Sequence, residues 1–231
     1  MSANTLTTVV DDRIWTFERP VWFSGVRQRV HTTVVRLDDG SLILHSPAPL
    51  SEALAQQLRA LGPVRWLVVP NCFHHLGTPA AAAQFPDAQV VGPASAQRRN
   101  KDLKLQADIA QFGEQVSEFE ALPLEGVPFL DETVLYHRPT QTLLGADIVL
   151  CPNAKDHWSL RFAARLLGFY DQVRVPYDVK RKIPDTAAAA RSIRAMLERP
   201  ARRLIVGHAD IIEAGCRDRL AEAWRLEGVD V

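Results

Sequence analysis

The chain has 231 residues, of which 47% are apolar and 23% are charged. These values are typical of a globular domain with a sizeable core. Lys plus Arg and Asp plus Glu both number 27, so the formal net charge is zero. A neutral chain lacks the electrostatic attraction that drives most nucleic-acid binding, so we exclude that class of partner.

Two further features bear on the compartment. The three cysteines are far apart and odd in number, which indicates reduced thiols rather than a disulfide framework. The N-terminal segment has neither the basic nor the apolar region of a secretory signal, and no apolar run reaches the ~20 residues of a membrane helix. We therefore expect a cytoplasmic protein with a small-molecule ligand and no membrane partner. Five tryptophans and an aromatic segment at 15–23 also permit a homodimer or another protein interface.

The first half of the chain begins with β-rich segments. Strands are predicted at 13–17, 21–23, 30–37 and 41–45, with a turn at Asp38-Asp39-Gly40. There follow a helix at 52–61, a strand at 64–69, a loop at 71–77, a helix at 78–85, a strand at 88–91 and a helix from 93 toward 105. This alternation of strands and helices predicts parallel pairing with helices packed on a sheet.

The second half repeats the pattern. We predict strands at 133–137 and 142–150, helices at 158–167 and 186–197, a strand at 203–206, a loop at 207–211 and a helix at 215–226. Each half is thus a hairpin followed by an α/β segment. Two such halves stacked sheet to sheet predict a single α/β domain over 1–231, a four-layer αββα sandwich with mixed sheets and helices outside.

Polar residues follow several of the predicted strands. His45, His74, His75 and His208 come at or just after strand ends, and Asp147 lies in an apolar stretch. Ligands of open α/β sheets bind at the carboxyl ends of strands. A carboxylate among apolar residues is costly to bury unless it is paired or bound to a cation. Imidazole and carboxylate ligands suit zinc, iron or manganese; the alternative is that these are hydrogen-bonded loop residues and an ordinary ion pair.

Cys72 offers a second kind of chemistry. It stands two residues before His74, and a thiolate paired with an imidazole is a nucleophile in some enzymes. Sequence proximity alone does not provide that geometry. A buried or metal-facing thiol remains the other interpretation of Cys72.

The histidine segment resembles the first metal motif of the metallo-β-lactamase fold superfamily. That motif, His-x-His-x-Asp-His, follows an apolar strand and precedes a glycine and a helix, and the matching stretch here is 68–77, VVPNCFHHLG. Asp147 matches the later acidic ligand, and Gly207-His208-Ala209-Asp210 matches the loop of the last histidine. The resemblance covers nearly the whole chain, implies the αββα fold, and is closest to a divergent branch of unknown function.

The chain departs from the family motif at several positions. Aligned on its last histidine, the motif has Pro70 and Cys72 in place of its first two histidines and His74 in place of its aspartate. The segment at 122–126, where a middle histidine is expected, contains none, and His45 replaces the usual aspartate of the N-terminal turn. The resemblance therefore implies one metal at most.

The remaining site implied by the resemblance has four ligands, His74, His75, Asp147 and His208. Asp147 and His74 are the predicted catalytic residues. His45, Cys72 and Asp210 are additional pocket residues, and Asp210 is the expected partner that fixes the tautomer of His208.

Two functions follow from this site. The first is hydrolysis of an ester, lactone, thioester or phosphoester with one divalent metal, zinc or iron. The second is a non-catalytic protein of the same fold, with no metal, whose cleft binds a ligand or partner.

Overall fold

The computed structural model describes residues 5–231. The first four residues of the segment for which we predict no signal peptide lie outside this range. Within it, no helix combines the length and apolar character needed to cross a bilayer. The strands are β1 (Thr7–Val10), β2 (Ile14–Phe23), β3 (Val26–Arg36), β4 (Leu42–His45), β5 (Val64–Val68), β6 (Gln89–Val91), β7 (Phe119–Pro123), β8 (Thr133–His137), β9 (Thr142–Leu144) and β10 (Arg203–Ile205). The helices are α1 (Glu52–Leu61), α2 (Thr78–Gln84), α3 (Ala94–Arg99), α4 (Phe112–Gln115), α5 (Trp158–Leu166), α6 (Tyr177–Lys180), α7 (Thr186–Glu198) and α8 (Cys216–Arg225).

The strands form two mixed sheets. The first has the order β1-β2-β3-β4-β5-β6, and the second has the order β10-β9-β8-β7. In the first sheet β1 to β4 are antiparallel neighbours, whereas β4, β5 and β6 pair in parallel. The parallel pairing predicted from the strand–helix alternation is therefore confirmed.

Three apolar clusters define the layers. One lies between the sheets, where Ile43 and Val68 of the first sheet meet Leu135 and Leu144 of the second. Another packs α1, α2 and α3 on the outer face of the first sheet, and a third packs α7 and α8 on the outer face of the second. The predicted αββα sandwich is confirmed by this order of layers.

Several boundaries differ from the sequence prediction. The strands predicted at 13–17 and 21–23 are one strand, β2, which continues through Pro20. β1 pairs with β2 only as far as Thr16, so Pro20 stands on a free edge where its missing N–H breaks no ladder bond. The predicted helix from 93 ends at Arg99, and the predicted strand at 142–150 ends at Leu144. β1 and β7 were not predicted.

The shorter β9 matters for the site. Because the strand ends at Leu144, Asp147 lies in a loop at the carboxyl end of β9 rather than within a strand. The carboxyl ends of β4, β5, β9 and β10 open toward one another at one edge of the sandwich. Four loops can therefore supply side chains to one place without breaking either sheet.

Candidate metal centre

Three of the predicted ligands meet at this edge: His74 after β5, Asp147 after β9 and His208 after β10. The two imidazole Nε2 atoms are 3.3 Å apart. His74 Nε2 lies 3.4 Å from Asp147 Oδ2, and His208 Nε2 lies 3.3 Å from Asp147 Oδ1. Among residues 5–231, these three form a group whose geometry could hold a metal ion.

The spacing and chemistry of these atoms fit a divalent cation. Two donors bound at ~2.0–2.1 Å to a tetrahedral metal are about 3.3–3.4 Å apart, which matches the separations of the two Nε2 atoms and the carboxylate oxygens. Two nitrogens and one carboxylate form a donor set suited to zinc or iron. A cation, or a proton on His208, would offset the negative charge of the Asp147 carboxylate in this group.

A backbone carbonyl of β3 orients the ring of His208. The Nδ1 atom of His208 donates to the carbonyl oxygen of Arg29 at 2.8 Å. In the neutral ring, Nε2 therefore carries the lone pair. Burial alone would lower the pKa of His208, but the hydrogen bond and charge of Asp147 outweigh burial and raise it. The expectation that Asp210 fixes this tautomer is wrong, because the Asp210 carboxylate pairs with Arg29 and Lys155 instead.

Asn71 connects His74 to Asp147. Its Oδ1 accepts the backbone N–H groups of Phe73 and His74, both at 2.9 Å, and thereby shapes the turn that carries His74. Its Nδ2 donates to Asp147 Oδ2 at 2.7 Å and to Glu132 Oε2 at 3.0 Å. Asn71 is fully buried, so the amide is a fixed bridge between the two ligand-bearing loops.

Glu132 holds the loop that carries Asp147 through two backbone hydrogen bonds. Its carboxyl group accepts the backbone N–H groups of Ala146 at 2.7 Å and Asp147 at 2.9 Å. Burial raises its pKa, and the neighbouring Asp147 charge adds to this. Burial would also raise the pKa of Asp147, but His74 and His208 hold that pKa well below its usual range. Glu132 was not predicted as a site residue, although an acid directly before the apolar strand β8 is a usable signal.

Two small residues make room for His74. Ser46 Oγ lies 2.7 Å from His74 Nδ1, and Ser46 itself has a left-handed backbone with φ of 56°. Such strain is often found where a side chain is held for function. Gly207 allows the imidazole to approach, because a Cβ built there would lie 2.5 Å from His74 Cε1. The neighbouring residues His45 and His208 were predicted as site residues, but Ser46 and Gly207 were not.

The other predicted residues lie outside this group. His75 Nδ1 accepts from Asn100 Nδ2 at 3.4 Å, and burial followed by the charge of Arg99 lowers its pKa. His45 is buried, its Nε2 has no hydrogen-bond partner among the described residues, and burial lowers its pKa to about 3. The structure thus brings together three of the four predicted ligands, and His75 is not among them.

Cys72 does not form the thiolate–imidazole pair considered above. Its Sγ donates to the carbonyl oxygen of Phe129 at 3.2 Å. Burial raises the pKa of the thiol. Cys72 therefore has the features of a buried structural thiol, and it is not part of the three-residue group.

A cavity of about 610 Å³ opens onto the three-residue group. His74, His75, Asp147 and His208 line one side of it, and most of the other lining side chains are apolar. The volume lies in the ~300–1,000 Å³ range of small-molecule sites. The group of His74, Asp147 and His208 thus lies in the wall of a largely apolar pocket.

Solved structures that are similar to this chain include metallo-β-lactamases. The enzyme from Pontibacter korlensis is 13% identical, with a TM-score of 0.65 over 96% of this chain and 98% of the other. The enzyme from Erythrobacter litoralis is 15% identical, with a TM-score of 0.68 over 96% of both chains. The mono-zinc form of FIM-1 from Pseudomonas aeruginosa is 14% identical, with a TM-score of 0.65 over 98% and 96%. The resemblance seen in the sequence is therefore confirmed for the fold.

Sequence comparison gives the family. No curated protein sequence matches this chain. A family model described as a domain of unknown function, DUF4336, matches residues 11–155, which is more than half of the chain. This match includes His74 and Asp147 but ends before His208. The chain belongs to the DUF4336 family and has the metallo-β-lactamase fold.

Proposed function

We propose that this protein is a hydrolase that uses one divalent cation, zinc or iron, held by His74, Asp147 and His208. The observation that carries this proposal is the convergence of two Nε2 atoms and one carboxylate within 3.3–3.4 Å at the wall of a 610 Å³ cavity. The metallo-β-lactamase fold of the solved neighbours supports it. The predicted catalytic roles of Asp147 and His74 belong to this proposal.

Such a cation, when bound, supplies Lewis acidity and lowers the pKa of a coordinated water toward ~7. The chain's own residues prepare the site for it. The Arg29 carbonyl holds the His208 tautomer, and Asn71 fixes the carboxylate of Asp147. Hydrogen-bonded partners of this kind raise metal affinity because they remove the entropy cost of ordering the ligands.

The cavity supplies the remaining requirements of hydrolysis. A substrate bound between its apolar walls would displace water, and this would strengthen the electrostatic interactions of the substrate with the site. Three protein ligands leave a coordination position open for water or substrate. The proposed substrate is a small molecule with an ester, lactone, thioester or phosphoester bond. We propose a cytoplasmic location because all three cysteines are free thiols.

The test begins with metal content. Purified protein is stripped with a chelator, reloaded with zinc or with Fe²⁺ under reducing conditions, and assayed on chromogenic esters, lactones and phosphoesters. We expect about one metal equivalent, with hydrolysis that depends on it. His208→Ala should lose both. Asp210→Asn is the matched control, because its carboxylate lies beside the same loop but pairs with Arg29 and Lys155.

A non-catalytic binding protein is the second candidate. The observation that favours it is that Asp147 already pairs with both imidazoles, so protonation of His208 satisfies the group without a metal. Protein that takes up no zinc, iron or manganese, yet binds a small molecule in the cavity, would establish this alternative and refute the hydrolase.

A further inference from the structure

The β2–β3 hairpin forms one wall of the cavity. Successive side chains of a strand point to opposite faces, so every second residue of the hairpin lines this wall. The lining residues are the cross-strand pairs Arg19 and Val30, Val21 and Gln28, and Phe23 and Val26. The wall is therefore largely apolar, with a single cation at one end.

The register of the hairpin places that cation near the candidate metal centre. Arg19 pairs across the hairpin with Val30. The two neighbours of Val30 on β3 both bond the loop after β10. The carbonyl of Arg29 accepts from His208, and the N–H of His31 donates to the Gly207 carbonyl at 3.0 Å. Adjacent strands are ~4.8 Å apart, and four residues along a strand span about 13 Å. Arg19 thus lies one strand away from the backbone that holds the β10 loop, whereas Phe23 lies at the far end of the wall.

Arg19 has no counter-charge in the described residues. Its buried Nε lacks a hydrogen-bond partner, and burial lowers its pKa with no carboxylate acting against this effect. The adjacent Glu18 points to the other face of the strand, where it pairs with Arg29 and His31. A half-buried cation without a partner is unfavourable, and an anionic ligand would relieve that cost.

Away from the hairpin, the cavity is lined by Arg99 and Asp178 as well as by apolar side chains. Leu160, Ala163 and Leu167 line it from α5 and the residue after it. At the mouth, Phe23 is 41% exposed and Leu167 is 48% exposed. Exposed apolar side chains around an apolar pocket are typical of a surface that binds an apolar ligand.

We propose that the cavity binds an apolar monocarboxylate, whose carboxylate pairs with Arg19 beside the metal centre and whose hydrocarbon chain extends along the β2–β3 wall toward α5. For the reaction, this rests on the proposed function. The substrates would then be acyl esters, thioesters or lactones that carry an anionic group close to the hydrolysable bond. Binding itself requires no metal.

The experiment is calorimetric titration of metal-free protein with decanoate. We expect a single site, and we expect decanol and decylamine to bind at least about tenfold more weakly, as the loss of a charge-assisted hydrogen bond predicts. Within a series from hexanoate upward, affinity should rise about fourfold per methylene until the cavity is filled. Ala163→Phe should lower the chain length at which this rise stops.

Variants of Arg19 provide the decisive comparison. Arg19→Gln should weaken decanoate binding by at least about tenfold, and Arg19→Lys should retain most of it. Arg27→Gln is the matched control, because it changes the same hairpin on the opposite face, and it should bind as the parent does. Circular dichroism checks the fold of each variant.

Either of two results would overturn the proposal: Arg19→Gln binding decanoate as tightly as the parent, or decylamine binding as well as decanoate. The failure of this proposal is distinguishable from failure of the proposed function. Metal-dependent hydrolysis without decanoate binding would refute the ligand class alone. Binding of decanoate without any metal uptake would refute the hydrolase alone.

Discussion

His74 and His75 are adjacent in the sequence and line the same cavity, yet their imidazoles have different partners. The His74 ring meets Asp147, His208 and Ser46. The His75 ring contacts the side chain of Asn100, outside the group. The difference follows from Asn71, which bonds the His74 backbone N–H and the Asp147 carboxylate at once. A buried amide three residues earlier therefore decides which imidazole reaches the site.

The largest expected effect is a difference in zinc affinity between the alanine variants of His74 and His75. His74→Ala should reduce zinc affinity at least about 100-fold, because it removes one of three protein ligands. His75→Ala should leave zinc affinity within about threefold of the parent. Titration against a fluorescent chelator measures both. Equal losses of zinc affinity in the two variants, or a larger loss in His75→Ala, would show that His74 is not the one ligand of this adjacent pair.

The residues that hold each imidazole extend the comparison. Asn71→Ala should weaken zinc binding by about 10–100-fold, as removal of a partner that orients ligands typically does. Asn100→Ala, which removes only the partner of His75, should have little effect. The same chelator titration applies, on protein whose fold is verified by circular dichroism. Unchanged affinity in Asn71→Ala would show that the amide does not orient the ligands.

A smaller effect is expected at Ser46. Its hydroxyl is the partner of His74 Nδ1, at 2.7 Å. Ser46→Ala should weaken zinc binding by about fivefold, the equivalent of one neutral hydrogen bond of ~1 kcal/mol. The double variant Ser46→Ala/His75→Ala should bind zinc within about threefold of Ser46→Ala alone, because the hydroxyl acts on His74. A further loss clearly beyond threefold in the double variant would contradict this.

The sequence predicted the parts of the site that depend on strand order. Asp147 and His208 follow strands that end at one edge of the sandwich, and the apolar runs before them identify those strands. It could not decide between His74 and His75, because that choice depends on where the Asn71 amide lies in three dimensions. The position of Glu132 before an apolar strand could have marked it as a candidate, but its contact with the Asp147 backbone N–H, 15 residues away, is visible only in the structure.

Fold boundaries show a similar division. The short apolar strands and their parallel pairing were predictable from the hydrophobic pattern and from the alternation of strands and helices. β2 was predicted as two strands, at 13–17 and 21–23. The structure joins them through Pro20, which a strand tolerates on a free edge, and the sequence does not show that this stretch has such an edge. β9 was predicted too long because the apolar loop after Leu144 is buried by tertiary packing rather than by sheet pairing.

The smallest expected effect is in proton release. Asp147 raises the pKa of His208 against the effect of burial, whereas burial and Arg99 lower the pKa of His75. Zinc binds neutral imidazole, so binding near neutral pH should displace part of a proton from His208 and none from His75. The displaced fraction should rise, and the apparent affinity fall, as the pH decreases toward 6. Calorimetry in two buffers of different ionisation enthalpy measures this release. If the proton release disappeared in His75→Ala, the displaced proton would come from His75, and the assignment to His208 would be contradicted.

The most direct test of the account is X-ray absorption spectroscopy of the protein loaded with one equivalent of zinc. The geometry predicts a first shell of nitrogen and oxygen atoms at ~2.0–2.1 Å, with multiple scattering from two imidazole rings, those of His74 and His208. A sulfur neighbour at ~2.3 Å would instead implicate Cys72. Scattering from three imidazoles that decreases to two in His75→Ala would contradict the central claim that His74 alone of the adjacent pair binds the metal.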